Sequence, residues 1–183
     1  MRCFLGTKLD GSLIPEVSRV KDGFTKINAD IKPVLDENLH FTVKFLGEIK
    51  QGRIKDIDVM KEVLEEFQPF KVELKGVGAF PSKDYIKVLW IGAGQGKKKF
   101  RQLMKRTDGR LGEEGFEEEK NKPVPHITVG RVKSGRNKGR IQSKIRKWEG
   151  KEFGKMMVEE VTLFESELKS EGPVYKKIKD YRL

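Results

Sequence analysis

Cysteine and histidine are both scarce in this 183-residue chain, with one cysteine, Cys3, and two histidines, His40 and His126. A single cysteine excludes an internal disulfide and suits a reducing compartment, so a cytoplasmic location is expected. Cys3 lies in an apolar first segment and reads as packing, not as a nucleophile. No apolar run approaches the roughly 20 residues of a membrane helix. The N-terminus also lacks a signal peptide's apolar core, so no membrane association is expected. Two histidines without a third donor at a suitable spacing make an incomplete zinc site, and no carboxylate or cysteine joins them. Neither a metal nor another cofactor is therefore expected. The glycine run Gly92-Ala93-Gly94-Gln95-Gly96-Lys97 fails as a phosphate loop, because Lys98 stands where Ser or Thr is required. Its glycines read as a tight turn.

What the chain has in excess is charge. Charged residues make up 37% of it, above the usual quarter, and the net charge is +11. That balance points to an anionic partner, of which nucleic acid is the commonest. Six cations, Lys97, Lys98, Lys99, Arg101, Lys105 and Arg106, crowd one expected helix. Lys133, Arg136, Lys138 and Arg140 crowd a glycine-containing loop at 133–140.

The two histidines open the same pattern. His40-Phe41-Thr42-Val43 and His126-Ile127-Thr128-Val129 lie 86 positions apart, 126 against 40. Both tetrads are rich in β-branched and aromatic residues and read as strands. Residues two apart on a strand share a face, so each His projects beside its Thr while the apolar residues anchor the other side. A lone strand histidine is most often structural. Two in one context, using every histidine in the chain, indicate two halves facing each other across a cleft.

Elsewhere the periodicity predicts a first strand over 1–9, and a helix capped by Asp10 and Ser12 carrying Leu13, Val17, Val20, Phe24 and Ile27. Pro33 confines a short strand at 31–34 to an edge. A second helix carries Ile54, Ile57, Met60, Leu64 and Phe67 and stops before Pro69. Strands are expected over 70–76 and 85–91, a third helix through Phe100, Leu103, Met104, Thr107 and Leu111, and a fourth through Ile141, Ile145 and Trp148. Two strands, 156–166 and 175–181, close the chain, joined by a loop at Glu171, Gly172 and Pro173. No linker interrupts this order, so residues 1–183 form one domain. The expected class is α+β with largely antiparallel sheet. No apolar stripe is left over, so a monomer is expected.

With their flanks, these motifs resemble the 2H phosphoesterase superfamily, and within it the RNA 2′,3′-cyclic phosphodiesterases, also called 2′-5′ RNA ligases. The resemblance rests on the stretch from Glu37 through the first tetrad to Leu46-Gly47-Glu48, on Leu89-Trp90-Ile91-Gly92, on Gly115-Phe116, and on Pro125 through the second tetrad to Lys133. The opening Met1-Arg2-Cys3-Phe4-Leu5 also fits. It implies two pseudo-symmetric lobes with helices outside and a central cleft carrying both tetrad strands. It implies hydrolysis of a 2′,3′-cyclic phosphate at an RNA end to a 2′-phosphate, with transfer-RNA fragments among the candidate substrates. Reversal with a 5′-hydroxyl in place of water would give 2′-5′ ligation.

Two histidines can divide one proton transfer, one taking a proton from water and the other giving one to the leaving alkoxide. The Thr42 and Thr128 hydroxyls can donate to phosphoryl oxygens as charge builds there. The resemblance assigns His40 as acid on O3′ and His126 as base. Arg131, placed where the family commonly has an arginine, is a candidate phosphate ligand. It is five positions past His126, so it needs a bulge at Gly130 to reach the cleft face. Lys44 shares the parity of His40 and Thr42 and is a candidate for RNA phosphate, as are Lys133, Arg136 and Lys138. Phe45 has the opposite parity and is expected in the core. The rival readings are another 2H activity, on small cyclic nucleotides or 2′-5′ linkages, and an RNA-binding module without turnover.

Overall fold

The computed structural model describes residues 1–170 and 172–183. Strand β1 (Arg2–Lys8) is followed by a 3-10 turn (Gly11–Leu13) and helix α1 (Ile14–Thr25). Asp10 accepts from the Ser12 N–H at 2.8 Å and so caps this turn, while α1, expected to be capped by Asp10 and Ser12, starts from Leu13 without a side-chain cap. Val17, Val20 and Phe24, three and four apart, form the buried stripe of α1. The short β2 (Ile31–Pro33) precedes the first tetrad strand, β3 (His40–Glu48). A long 3-10 segment (Gln51–Val59) leads into α2 (Met60–Glu65), so the second expected helix is only partly α-helical. Its stripe survives, because Ile57, Met60, Leu64 and Phe67 are all buried.

Next come β4 (Phe70–Pro81), longer than its alternating stretch predicts, and β5 (Ile86–Ala93). Helix α3 (Lys97–Glu113), the second tetrad strand β6 (His126–Val132) and helix α4 (Lys138–Lys147) follow. The C-terminal part departs from expectation. It holds three strands, β7 (Glu152–Val158), β8 (Glu160–Lys169) and β9 (Gly172–Arg182). The stretch expected as one strand at 156–166 is cut at Glu159. Of the expected loop 171–173, Glu171 lies outside the described residues, while Gly172 and Pro173 belong to β9.

Among the described residues all nine strands join one antiparallel sheet, in the order β7-β4-β5-β6-β3-β1-β8-β9, with β2 paired to β6 off this path. The junction of β6 with β3 is the midline of that eight-strand path, with four of its strands on each side. This is the α+β architecture of two similar lobes, but the lobes are not the two halves of the chain. The N-terminal β3 and β1 join the C-terminal β8 and β9 through the pairing of β1 with β8, while residues between them build the other lobe. The helices cover one face of the sheet, where Phe41, Ile127, Val129, Phe100, Leu103 and Leu64 join a single core cluster. The opposite face carries the histidines. Among the described residues no helix is long and apolar enough to cross a membrane.

Candidate active site

The two tetrad strands meet back to back at the midline, where Phe41 pairs with Ile127. Antiparallel register about that pair sets His40 across from Thr128 and Thr42 across from His126. Each imidazole therefore faces the other strand's hydroxyl on the face away from the core, while Phe41 and Ile127 point into the core.

Both strands carry a β-bulge at the same place. Leu5 pairs with Lys44 and Gly6 with Thr42, which leaves Val43 without a partner on β1. Leu89 pairs with Gly130 and Trp90 with Thr128, which leaves Val129 without one on β5. An extra residue resets the alternation, so every side chain beyond it changes face. Arg131 is thereby turned toward the face of His126 and is exposed. In β3 the same reset moves Phe45, expected in the core, onto the cleft face, where it is 59% exposed. It also buries Lys44.

Lys44 is thus corrected as an RNA contact. Its side chain is fully buried and forms an ion pair with Asp108 of α3. Its Nζ also donates to the Glu117 carbonyl at 2.6 Å. Asp108 in turn accepts from the Glu119 N–H at 3.1 Å, and Arg101 Nε donates to the Pro123 carbonyl at 3.1 Å. These bonds fasten the segment 117–124, which forms one wall of the cleft and ends at the second histidine.

The two imidazoles are held alike. His40 Nδ1 lies 2.7 Å from the Asn38 carbonyl, and His126 Nδ1 lies 2.6 Å from the Val124 carbonyl. A carbonyl can only accept, so Nδ1 carries the hydrogen in both rings and Nε2 is left for the cleft. Thr42 Oγ1 is 3.1 Å from His40 Nε2 and can donate to it while the ring is neutral. Phe4 and Tyr175 flank His40 at ring-centroid distances of 4.7 and 5.3 Å. Phe80 and Trp90 flank His126 at 4.9 and 6.0 Å. Gly6 permits the close approach around His40, since a Cβ there would stand 2.9 Å from the Phe41 carbonyl oxygen and 3.2 Å from the imidazole ring.

Burial among these aromatics lowers both histidines from their ordinary value of 6.5. His40 falls to about 4, chiefly by desolvation, with a smaller contribution from the charge His126 can carry. Both rings of the free protein are therefore neutral at pH 7, with His40 lowered the further. Beside His126 the cleft opens to about 850 Å³, lined by Thr42, Phe45, Phe80, Met104, Lys105 and Lys122 among others. Among the described residues no three His, Cys, Asp or Glu side chains converge as a metal site.

The remaining expected cations are placed elsewhere. Lys133, Arg136 and Lys138 lie past the C-terminal end of β6 and do not line this cleft. Arg136 donates to Asn28 Oδ1 at 2.9 Å and Lys138 to the Asp84 carbonyl at 3.0 Å. On α3, Arg106 is paired with Glu66, while Lys105 reaches the cleft. Alternation alone missed Phe4, Tyr175 and Phe80 as site residues. They arrive from β1, β9 and β4, and only strand pairing brings them to the histidines.

Residues 12–169 match the family described as the 2′-5′ RNA ligase superfamily. The chain is 38% identical to an RNA 2′,3′-cyclic phosphodiesterase of Methanothermobacter thermautotrophicus, an alignment spanning 100% of this chain and 99% of the relative. It is 36% identical to the protein of the same name from Methanocaldococcus jannaschii, over 99% and 100% of the two chains. Among solved structures it superimposes on TT0787 of Thermus thermophilus with a TM-score of 0.82 at 25% identity, covering 100% and 98% of the two chains. The fold is also that of E. coli LigT complexed with 3′-AMP, at a TM-score of 0.77 and 21% identity over 100% and 97% of the two chains.

Proposed function

The chain belongs to the 2′-5′ RNA ligase superfamily, and we propose that its paired histidines hydrolyse 2′,3′-cyclic phosphate ends of RNA to 2′-phosphates. The observation that supports this is the pairing of Phe41 with Ile127, whose register puts both tautomer-fixed imidazoles and both threonines on one face of neighbouring strands. A five-membered cyclic phosphate is already strained. The protein has to orient a water, move two protons and steady the phosphoryl charge.

The water oxygen bonds to phosphorus as the bond from phosphorus to O3′ breaks. His126 Nε2 takes a proton from the water and His40 Nε2 gives one to O3′, the division of roles carried over from the family resemblance. Burial makes His40 hard to protonate in the free protein, so substrate must supply the difference. An anionic phosphate between the rings favours imidazolium and does so. Thr42 and Thr128 donate to the non-bridging oxygens, with Arg131 on the same face as a cationic partner. Phe45 and Met104 offer an apolar wall on which a nucleobase can stack. With a 5′-hydroxyl attacking phosphorus in place of water, the same step breaks the bond to O3′ and forms a 2′-5′ linkage.

Burial pushes the Cys3 thiol up to about 11, so the one cysteine is inert. On this reading the protein acts as a monomer in the cytoplasm. The test is incubation with a mononucleotide 2′,3′-cyclic phosphate in excess EDTA. Turnover that is lost in both histidine-to-alanine variants is expected. No turnover by the wild type, or turnover that depends on added metal, would overturn the proposal.

A further inference from the structure

The net charge of this protein is not spread over its surface. Between residues 120 and 148 there are ten Lys and Arg and no Asp or Glu, against 29 and 28 in the rest of the chain. Nearly all of the +11 therefore belongs to one stretch of 29 residues. Lys120 and Lys122 stand at the cleft wall and Arg131 on the cleft face. The other seven follow β6, in the loop after it and along α4.

These seven cations are also left without counter-charges. Among the described residues, the only member of the ten in an ion pair is Lys120, which is 4.0 Å from Glu117. Arg136 and Lys138 bond to neutral oxygens, and Lys144 lies over the Trp148 ring at 5.3 Å. On α3, Arg106 and Arg110 are met by Glu66, Glu62 and Glu113, and its other cations share their helix with Asp108 and Glu113, whereas the stretch 120–148 holds no acid at all. Charge kept for solubility has no reason to collect in one acid-free stretch.

The place of this surface is informative. Ile141 and Ile145 of α4 and the neighbouring Trp148 join the core cluster that holds Phe41 and Ile127, so α4 covers the face opposite the histidines. Trp148 packs edge-on against Phe24 of α1 at 5.4 Å. Between the end of α1 and α4 runs a groove of about 410 Å³, lined by Ile27, Gly139, Arg140, Ser143, Lys144 and Lys147. The cations thus run from the cleft, along β6, to the helical side of the molecule.

We infer that the loop after β6 and the exposed side of α4 form a second binding surface, which holds the phosphate backbone of RNA some distance from the reacting end. Its ligands are phosphates of successive nucleotides, taken by Lys133, Arg136, Lys138, Arg140, Lys144 and Lys147. The contacts are electrostatic, so they are indifferent to base sequence and weaken with salt. They give the protein a preference for long RNA over a mononucleotide carrying the same cyclic phosphate. This rests on the cyclic phosphodiesterase reading of the cleft and extends it from the substrate's end to its body.

The test compares wild type with Arg140→Glu/Lys144→Glu/Lys147→Glu, and with the milder triple Gln variant in case charge reversal disturbs α4. Three substrates separate the possible failures. On a mononucleotide 2′,3′-cyclic phosphate all three proteins should turn over alike. On a long RNA with a cyclic phosphate end the variants should show a KM raised roughly tenfold or more, with a slope against log salt lower by about 2. A long RNA ending in a plain 3′-hydroxyl, which cannot react, should bind the wild type more tightly than the variants, whatever the cleft does. Equal binding of that RNA by all three proteins would overturn the surface. So would loss of binding only to phosphatidylserine vesicles, which would give the surface to a membrane. Failure of the mononucleotide assay with differential binding intact would instead count against the chemistry of the cleft.

Discussion

The two imidazoles are alike in their bonding and unlike in their surroundings, and that difference can be measured. Each Nδ1 donates to the carbonyl two residues upstream, so both rings present Nε2. Removing either ring, as His40→Ala or His126→Ala, should lower kcat by about 10²–10⁴-fold, the usual worth of a general acid or base. A cyclic substrate with sulfur at the 3′ bridging position separates the roles, because a thiolate leaves without a proton. His40→Ala should recover most of its lost rate on that substrate and His126→Ala should not. An equal response from both variants would contradict the division proposed for them. The pH dependence follows from burial. Catalysis needs one proton shared between two rings whose pKa values lie below 6.5, His40 at about 4. In the free enzyme this form is lost as pH rises above the depressed value of His126, and again as pH falls below that of His40. The profile of kcat/KM should therefore peak below pH 6.5, while that of kcat lies at higher pH because bound phosphate raises both rings. A kcat/KM maximum above pH 7 would show that the rings are not desolvated in this way. The tetrad residues were legible in the sequence because chemistry repeats there. Phe4, Tyr175 and Phe80 were not, since a flanking ring from another strand leaves no local pattern.

Among the elements, the bulged tetrad strand explains what alternation got wrong. A period of two assigns Lys44 to the cleft and Phe45 to the core, and the unpaired Val43 exchanges them. Nothing in the residues of β3 announces that bulge, whereas Gly130 hints at its counterpart in β6. The break between β7 and β8, by contrast, was readable. Met156 and Val158 are apolar at even positions and Val161 and Leu163 at odd ones, with two acids, Glu159 and Glu160, at the change of phase. The bulge gives Lys44 a structural task, tying β3 to α3 and to the wall that carries Val124 to His126. Lys44→Met should destabilise the fold by about 3 kcal/mol, the lower end expected for breaking a buried ion pair, because Asp108 keeps some exposure. Chemical denaturation checks this, and Lys44→Met/Asp108→Leu should recover part of the loss. A single variant as stable as wild type would mean that the pair holds nothing together.

For the whole molecule, the interleaved lobes bear on both stability and function. The first and last strands share one lobe, and the stretch from Phe70 to Val158 between them builds the other, so the first lobe forms only when the two ends of the chain come together. We propose a single folding unit over 1–183, seen as one unfolding transition with coincident probes. The α+β class and the paired tetrads were legible from periodicity and repetition. The strand order was not, because pairing between β1 and β8 depends on contacts more than 150 positions apart, such as Leu5 with Leu163. The concentration of charge was present in the sequence throughout, but only the fold shows that it continues onto the face opposite the cleft. At the midline the claim reduces to one chemical outcome: water enters at phosphorus, O3′ leaves, and phosphate stays on O2′. End-group analysis of an RNA with a 2′,3′-cyclic phosphate, after reaction in excess EDTA, reads that outcome directly. The account predicts a 2′-phosphate with a free 3′-hydroxyl, formed by the wild type and by neither histidine variant. A 3′-phosphate product, or the same product at wild-type rate from either variant, would contradict it.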